Sequence, residues 1–156
     1  MNKLELKNEI LKIIMHEEYG KLLNLKHHNT TRLTHSLNVT ICSYNFAKKL
    51  KLNIDYKSLI RGCLLHDFFL YQQKCCPKDK NHLIYHPIEA IHNSKKYFEI
   101  NKIEEEVISK HMFPFCSFPK YTETWIIIIC DKHCAIMEKL FKKNYLLNIY
   151  NKKRGY

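Results

Sequence analysis

The stretch SLIRGCLLHDFFLYQQ, residues 58–73, is an apolar helical run that ends on an adjacent His66-Asp67 pair. Burying an imidazole and a carboxylate at the end of an oily segment costs several kcal/mol unless something pairs them. A fold for this chain must therefore bring partners for both groups to the end of that helix.

The chain is long enough to supply such a fold. Its 156 residues and 46% hydrophobic content suit one globular domain, residues 1–156, with a sizeable core. Three Gly and four Pro are too few for a sandwich with many turns, so the expected fold is all-α, with about six helices. The opening MNKLELKNEILKII has alternating charges and no apolar core, and no stretch reaches the ~18 apolar residues of a membrane span. A cytoplasmic protein without a membrane partner is expected.

Seven cysteines without a CxxC pattern, several of them inside apolar runs (Cys42, Cys63, Cys130), read as reduced core thiols; Cys75-Cys76, in a loop, is the exception. The net charge of +11 would steer anionic partners toward the protein, although the Lys-, Asn-, Ile- and Tyr-rich composition also fits a general bias. From Lys139 to Tyr156 six basic residues occur without an acid, which reads as a solvated helix end or a weak anion-binding patch.

Periodicity and capping residues divide the chain. The first helix runs from Leu4 to about Leu25, and Asn29-Thr30-Thr31 caps a second from about Arg32 to Leu50. Asp55 caps the third, which carries the opening stretch, and a polar loop follows from about Gln72 to Tyr85. Pro87 fits the first turn of a fourth helix, leaving His86 near its N-cap. Asn101 and Glu104 make a capping-box start to a fifth, which ends at Lys110-His111-Met112. The sixth, from about Glu123 to Lys142, holds IIIIC and reads as apolar all round and central, with Asp131 immediately after that run.

Separate helices thus present His35, His66-Asp67, His86, His111 and Asp131 beside apolar neighbours. Neutral imidazole and ionised carboxylate are ligands for Mn, Fe, Ni or Zn, and a cation would satisfy all of these groups together. The order H…HD…H…H…D, in the surroundings RLTHSLNV, RGCLLHD, HPIEA and CDKHC, resembles the HD domain superfamily of metal-dependent phosphohydrolases over about Arg32–Lys139. The resemblance implies that His35, His66, Asp67 and Asp131 hold one divalent transition metal. His86 and His111 would complete a second site bridged by Asp67. Iron or manganese is the first expectation for the metal, with zinc, nickel, cobalt or magnesium after them.

This chain departs from the family where many members place Gly-Lys after the HD pair; Phe68-Phe69-Leu70 stand there instead. Lys110, Lys132, Arg32 or Arg61 would then contact phosphate. No GYP motif is present, which argues against a cyclic-dinucleotide phosphodiesterase of that kind. The expected reaction is hydrolysis of a small-molecule phosphate ester, first a nucleotide, by a metal-activated water, with His66 and Asp67 as catalytic pair and Asp67 orienting or deprotonating that water. The same scaffold also supports diiron oxygenases. A third reading is a non-catalytic regulator that binds nucleotides or nucleic acid around a structural metal.

Other constellations have plainer readings. Cys75-Cys76 with His82 and His86 lacks the spacing of a zinc site, and His133 is turned roughly 200° from Asp131 on a helix. His82 reads as a loop histidine, or one facing ligand or substrate. Phe68, Phe69, Tyr71, Phe113, Phe115 and Phe118 read as packing, or as a wall on which a base could stack.

Overall fold

The computed structural model describes residues 3–27, 29–72, 75–77 and 79–140. Among them the chain is all-α, with seven helices and one two-stranded ribbon. The helices are α1 (Lys3–Ile14), α2 (Glu17–Gly20), α3 (Arg32–Lys49), α4 (Tyr56–Leu65), α5 (His82–Tyr97), α6 (Lys102–Lys110) and α7 (Thr122–Leu140). A 3-10 turn, Lys21–Asn24, leads from α2 into strands β1 (Lys26–His27) and β2 (Thr30–Thr31), which pair antiparallel. No described helix is long and apolar enough to cross a membrane.

The caps explain most helix starts. Thr31 accepts from the Thr34 amide at the start of α3. Asp55 accepts from the Lys57 and Ser58 amides at 3.0 and 3.1 Å, and Asn101 with Glu104 completes a capping box on α6. Each satisfies backbone donors that have no partner inside the helix.

The expectation for α7 needs correction. Ile126, Ile127, Ile128 and Cys130 are buried, but Ile129, Ile136 and Leu140 are exposed, so α7 covers the core with one face only. The central element is α4, which packs against α1, α3, α5, α6 and α7. Its Ile60, Leu64 and Leu65 join Ile13, Tyr19, Leu22, Phe68, Ala90 and Ile108 on one side. On the other side, its Leu59 and Cys63 meet Val39, Val107, Ile127 and Cys134. Each aliphatic side chain buried this way stabilises the fold by about 1.5–3 kcal/mol.

Two further boundaries differ from the sequence reading. The continuous helix expected from Leu4 to Leu25 breaks after Ile14, where the His16 amide bonds back only three residues to Ile13 and His16 itself is extended. The break turns Tyr19 into the core, where its hydroxyl donates to the Leu64 carbonyl at 2.7 Å. The expected loop through Tyr85 ends at Asn81, whose side chain accepts from the Leu83 amide and starts α5 one turn early. His86 therefore lies inside α5 rather than at its cap, and Pro87 stands beyond the first turn. The expected helix end at Lys142 and most of the basic tail, residues 141–156, lie outside the described residues.

Candidate metal centre

Two of the proposed ligands end helices in the same way. His66 follows α4 as its C-cap, and its Nδ1 donates to the Cys63 carbonyl at 2.7 Å. His111 does the same for α6, donating to the Ile108 carbonyl at 2.8 Å. Carbonyls in the last turn of a helix have no partner within it, so each imidazole completes its own helix end. In α5, the His86 Nδ1 donates to the His82 carbonyl at 2.7 Å. With Nδ1–H committed in all three, each neutral ring keeps its lone pair on Nε2.

Those lone pairs converge. The Nε2 atoms of His86 and His111 face each other at 2.8 Å. Two acceptors at that distance repel unless a proton or a cation lies between them. Two imidazoles on one ion, each with a metal–nitrogen bond of about 2.0–2.1 Å, would have their nitrogens about 3 Å apart. The His66 Nε2 is buried with no hydrogen-bond partner, and it stands 3.8 Å from Asp67 and 3.7 Å from Asp131.

Asp67 stands between two groups of nitrogens. Its Oδ1 faces His86 Nε2 at 3.5 Å and His111 Nε2 at 3.8 Å, while its Oδ2 faces His66 Nε2 at 3.8 Å and His27 Nδ1 at 3.7 Å. Asp131 closes the second group, accepting from His35 Nε2 at 2.9 Å. Overlapping triads within metal-ligand reach follow: His35, His66 and Asp67; His66, His111 and Asp131; Asp67, His86 and His111. These buried histidines and aspartates could hold a metal ion.

The ionisation of the cluster follows from its packing. Burial opposes a charge on Asp67, but the His66, His86, His27 and His111 rings around it overcome that penalty and hold its carboxyl well below the usual range. Asp131 is lowered in the same way, against its burial, by His35 and His66. His35 is buried, yet the carboxylates of Asp131 and Glu138 on its two nitrogens push it up to about 10. Burial, reinforced by the neighbouring His66 and His86, pulls His111 down to about 3. Burial likewise lowers His86, whereas His66 is raised because Asp67 and Asp131 outweigh its burial.

The sequence reading missed three members of this site. Glu138 accepts from His35 Nδ1 at 2.9 Å and from the Asn38 side chain at 2.7 Å. A carboxylate behind a histidine fixes the ring and raises its strength as a ligand. Glu138 lies seven residues after Asp131 and Asn38 three after His35, spacings that put each pair on one helix face and could have been read as a signal. His27, on β1, stacks on His35 at 4.0 Å between ring centroids. No periodicity marks that position.

The cationic candidates divide. Arg32 is buried, stacks on Phe69 at 3.5 Å, and donates to the carbonyls of Phe69 at 2.6 Å and Tyr71 at 3.2 Å. Lys132 is exposed beside Asp131 and donates to the Phe113 carbonyl at 3.1 Å. Lys110 is taken up by Glu106 and the Phe118 carbonyl. Arg61 joins α4 to α6 through Glu104 at 2.8 Å and reaches the Glu99 carbonyl and Glu9, so it clamps helices rather than facing the histidines.

His82 stacks on His86, and its Nδ1 lies 3.3 Å from the Tyr71 hydroxyl. Phe68 is core, Phe69 packs on His86, and Phe113 and Phe118 gather with Trp125 elsewhere. Among the described residues, Cys75, Cys76 and His133 join no cluster of metal-ligating groups. Comparison of the chain with protein-family models, curated proteins and solved structures yields no match.

Proposed function

We propose that this protein is a metal-dependent phosphohydrolase of the HD type, acting on a nucleotide or a related phosphate mono- or diester. The observation that carries the reading is the convergence of His66, His86 and His111 Nε2 lone pairs, two of them 2.8 Å apart, on the two oxygens of Asp67. His35, His66, Asp67 and Asp131 would hold one ion; His86, His111 and Asp67 would hold a second. A bound divalent cation lowers the pKa of a coordinated water and neutralises charge on phosphoryl oxygens.

The chain's own residues supply the rest. Asp67, kept ionised at neutral pH, would orient the attacking water by accepting a hydrogen bond from it. His66 is held beside it by the Cys63 carbonyl, so its lone pair stays turned inward. Glu138 and Asn38 hold the His35 ring against rotation. Lys132, exposed next to Asp131, is free to exchange its carbonyl partner for a phosphate oxygen, and the buried Arg32 adds positive charge behind Asp67. Near-complete burial of Asp67, His66 and His111 keeps bulk water from weakening these interactions.

Iron or manganese is the first metal to test, and this nitrogen and oxygen donor set accepts either, as it accepts nickel or zinc. The test is metal analysis of anaerobically purified protein, followed by a screen of nucleotides, dinucleotides and phosphomonoesters with Mn, Fe, Co, Ni, Zn and Mg. Release of inorganic phosphate or of a nucleoside monophosphate, lost in Asp67→Ala, is the expected result. Oxygen consumption without hydrolysis would replace the hydrolase with a diiron oxygenase, and ligand binding with neither would leave a regulator.

A further inference from the structure

We propose that Cys42, Cys130 and Cys134 form a peroxide-reactive thiol site in which Cys42 closes a disulfide onto α7. All seven cysteines are free. Cys130 and Cys134 are one turn apart on α7 and are 2% and 1% exposed. Cys42, on α3, packs against this part of the core and is itself partly exposed. Its sulfur is within hydrogen-bonding reach of both α7 thiols. An oxidant arriving from solvent therefore meets Cys42 first, with two thiols waiting behind it.

The arrangement is that of a redox-sensing cysteine beside a resolving one. The Cys42 thiolate attacks one oxygen of hydrogen peroxide, the O–O bond breaks, and the leaving hydroxide takes a proton to become water. The resulting Cys42 sulfenic acid is attacked by Cys130 or Cys134, forming the S–S bond and releasing a second water. Two thiols and one peroxide thus give one disulfide and two waters; each sulfur is oxidised by one electron and the two peroxide oxygens are reduced. None of the three cysteines belongs to the candidate metal cluster, so the inference stands apart from the hydrolase reading. The bond would tie α3, which carries His35, to α7, which carries Asp131 and Glu138.

The test uses the full chain with Cys75→Ser and Cys76→Ser, which removes the two loop thiols. Reduced protein is treated with hydrogen peroxide, quenched with N-ethylmaleimide and digested with trypsin without reduction. The expected product joins peptide 33–48, holding Cys42, to peptide 121–132 or 133–139, holding Cys130 and Cys134 respectively. Two alkylatable thiols should disappear together and return with dithiothreitol. Cys42→Ser, with unchanged far-ultraviolet circular dichroism, should slow thiol loss at least about tenfold and abolish the joined peptides, as expected for removal of the accessible thiolate. Oxidation of Cys42 to sulfinic or sulfonic acid with no joined peptide would overturn the proposal, as would thiol loss at the same rate in Cys42→Ser.

Discussion

Glu138 decides which way the His35 ring is held, because its Oε2 takes the Nδ1 proton while Oε1 is fixed by Asn38. Glu138→Gln keeps the volume and removes the charge. Since loss of such a supporting group costs about 10–100-fold in metal affinity, chelator competition should show a weakening of that order with the helical content unchanged. The opposing His86 and His111 lone pairs give a second prediction. Replacing both residues by Ala should halve the bound metal while His35, His66, Asp67 and Asp131 retain one ion. Inductively coupled plasma analysis reads this directly, and an unchanged metal-to-protein ratio would reduce the centre to a single ion.

At the scale of elements, the histidines on α4 and α6 meet because those helices approach closely, and Gly62 is what lets them. A Cβ at Gly62 would lie 2.6 Å from Val107 Cγ1 and 2.8 Å from Val107 Cβ, well inside contact distance. Gly62→Ala must push α6 away from α4 or force Val107 off its rotamer, a strain of about 1–3 kcal/mol. In a domain of this size that lowers Tm by roughly 2–4 °C per kcal/mol. Because His66 and His111 end these two helices, the same substitution should also weaken metal binding. Wild-type Tm and affinity in Gly62→Ala would show that the contact is not tight.

For the whole molecule, the buried histidines make the stability of the metal-free protein depend on pH in opposite directions. His35, raised to about 10, adds stability that is fully present below the unfolded value of 6.5 and is lost as pH rises toward 10. His111, lowered to about 3, resists a proton that the unfolded chain accepts, so it removes stability as pH falls from 6.5 toward 3. After chelation, Tm should therefore peak near pH 6.5 and decline on both sides. Binding a cation displaces the His35 Nε2 proton, so the loaded protein should lose the alkaline decline and keep a steeper acid one, where protons compete for the ligands. Thermal melts from pH 5 to 9 with and without metal test this; a single flat profile would show that these rings are not the groups that titrate.

What the sequence by itself determined is local. The caps at Thr31, Asp55 and Asn101, the order of the His and Asp residues and the all-α class depend on contacts between residues a few positions apart, and those are written in spacing. The tertiary structure alone decided the rest. His35 reaches Asp131 across 96 residues and Glu138 across 103, so their meeting depends on the angle at which α3 and α7 pack, which periodicity does not encode. That packing also brings Cys42 to Cys130 and Cys134, while the meeting of α4 with α6 engages Arg61 with Glu104, and the β1 ribbon places His27 over His35. In α5 the Asn81 cap competes with the start suggested by Pro87 and prevails, which carries His86 from the expected helix end into the interior of the helix. Local spacing marks the His and Asp residues of the cluster; the convergence of the histidine lone pairs on Asp67 exists only once burial of the α4 face has drawn the helices together.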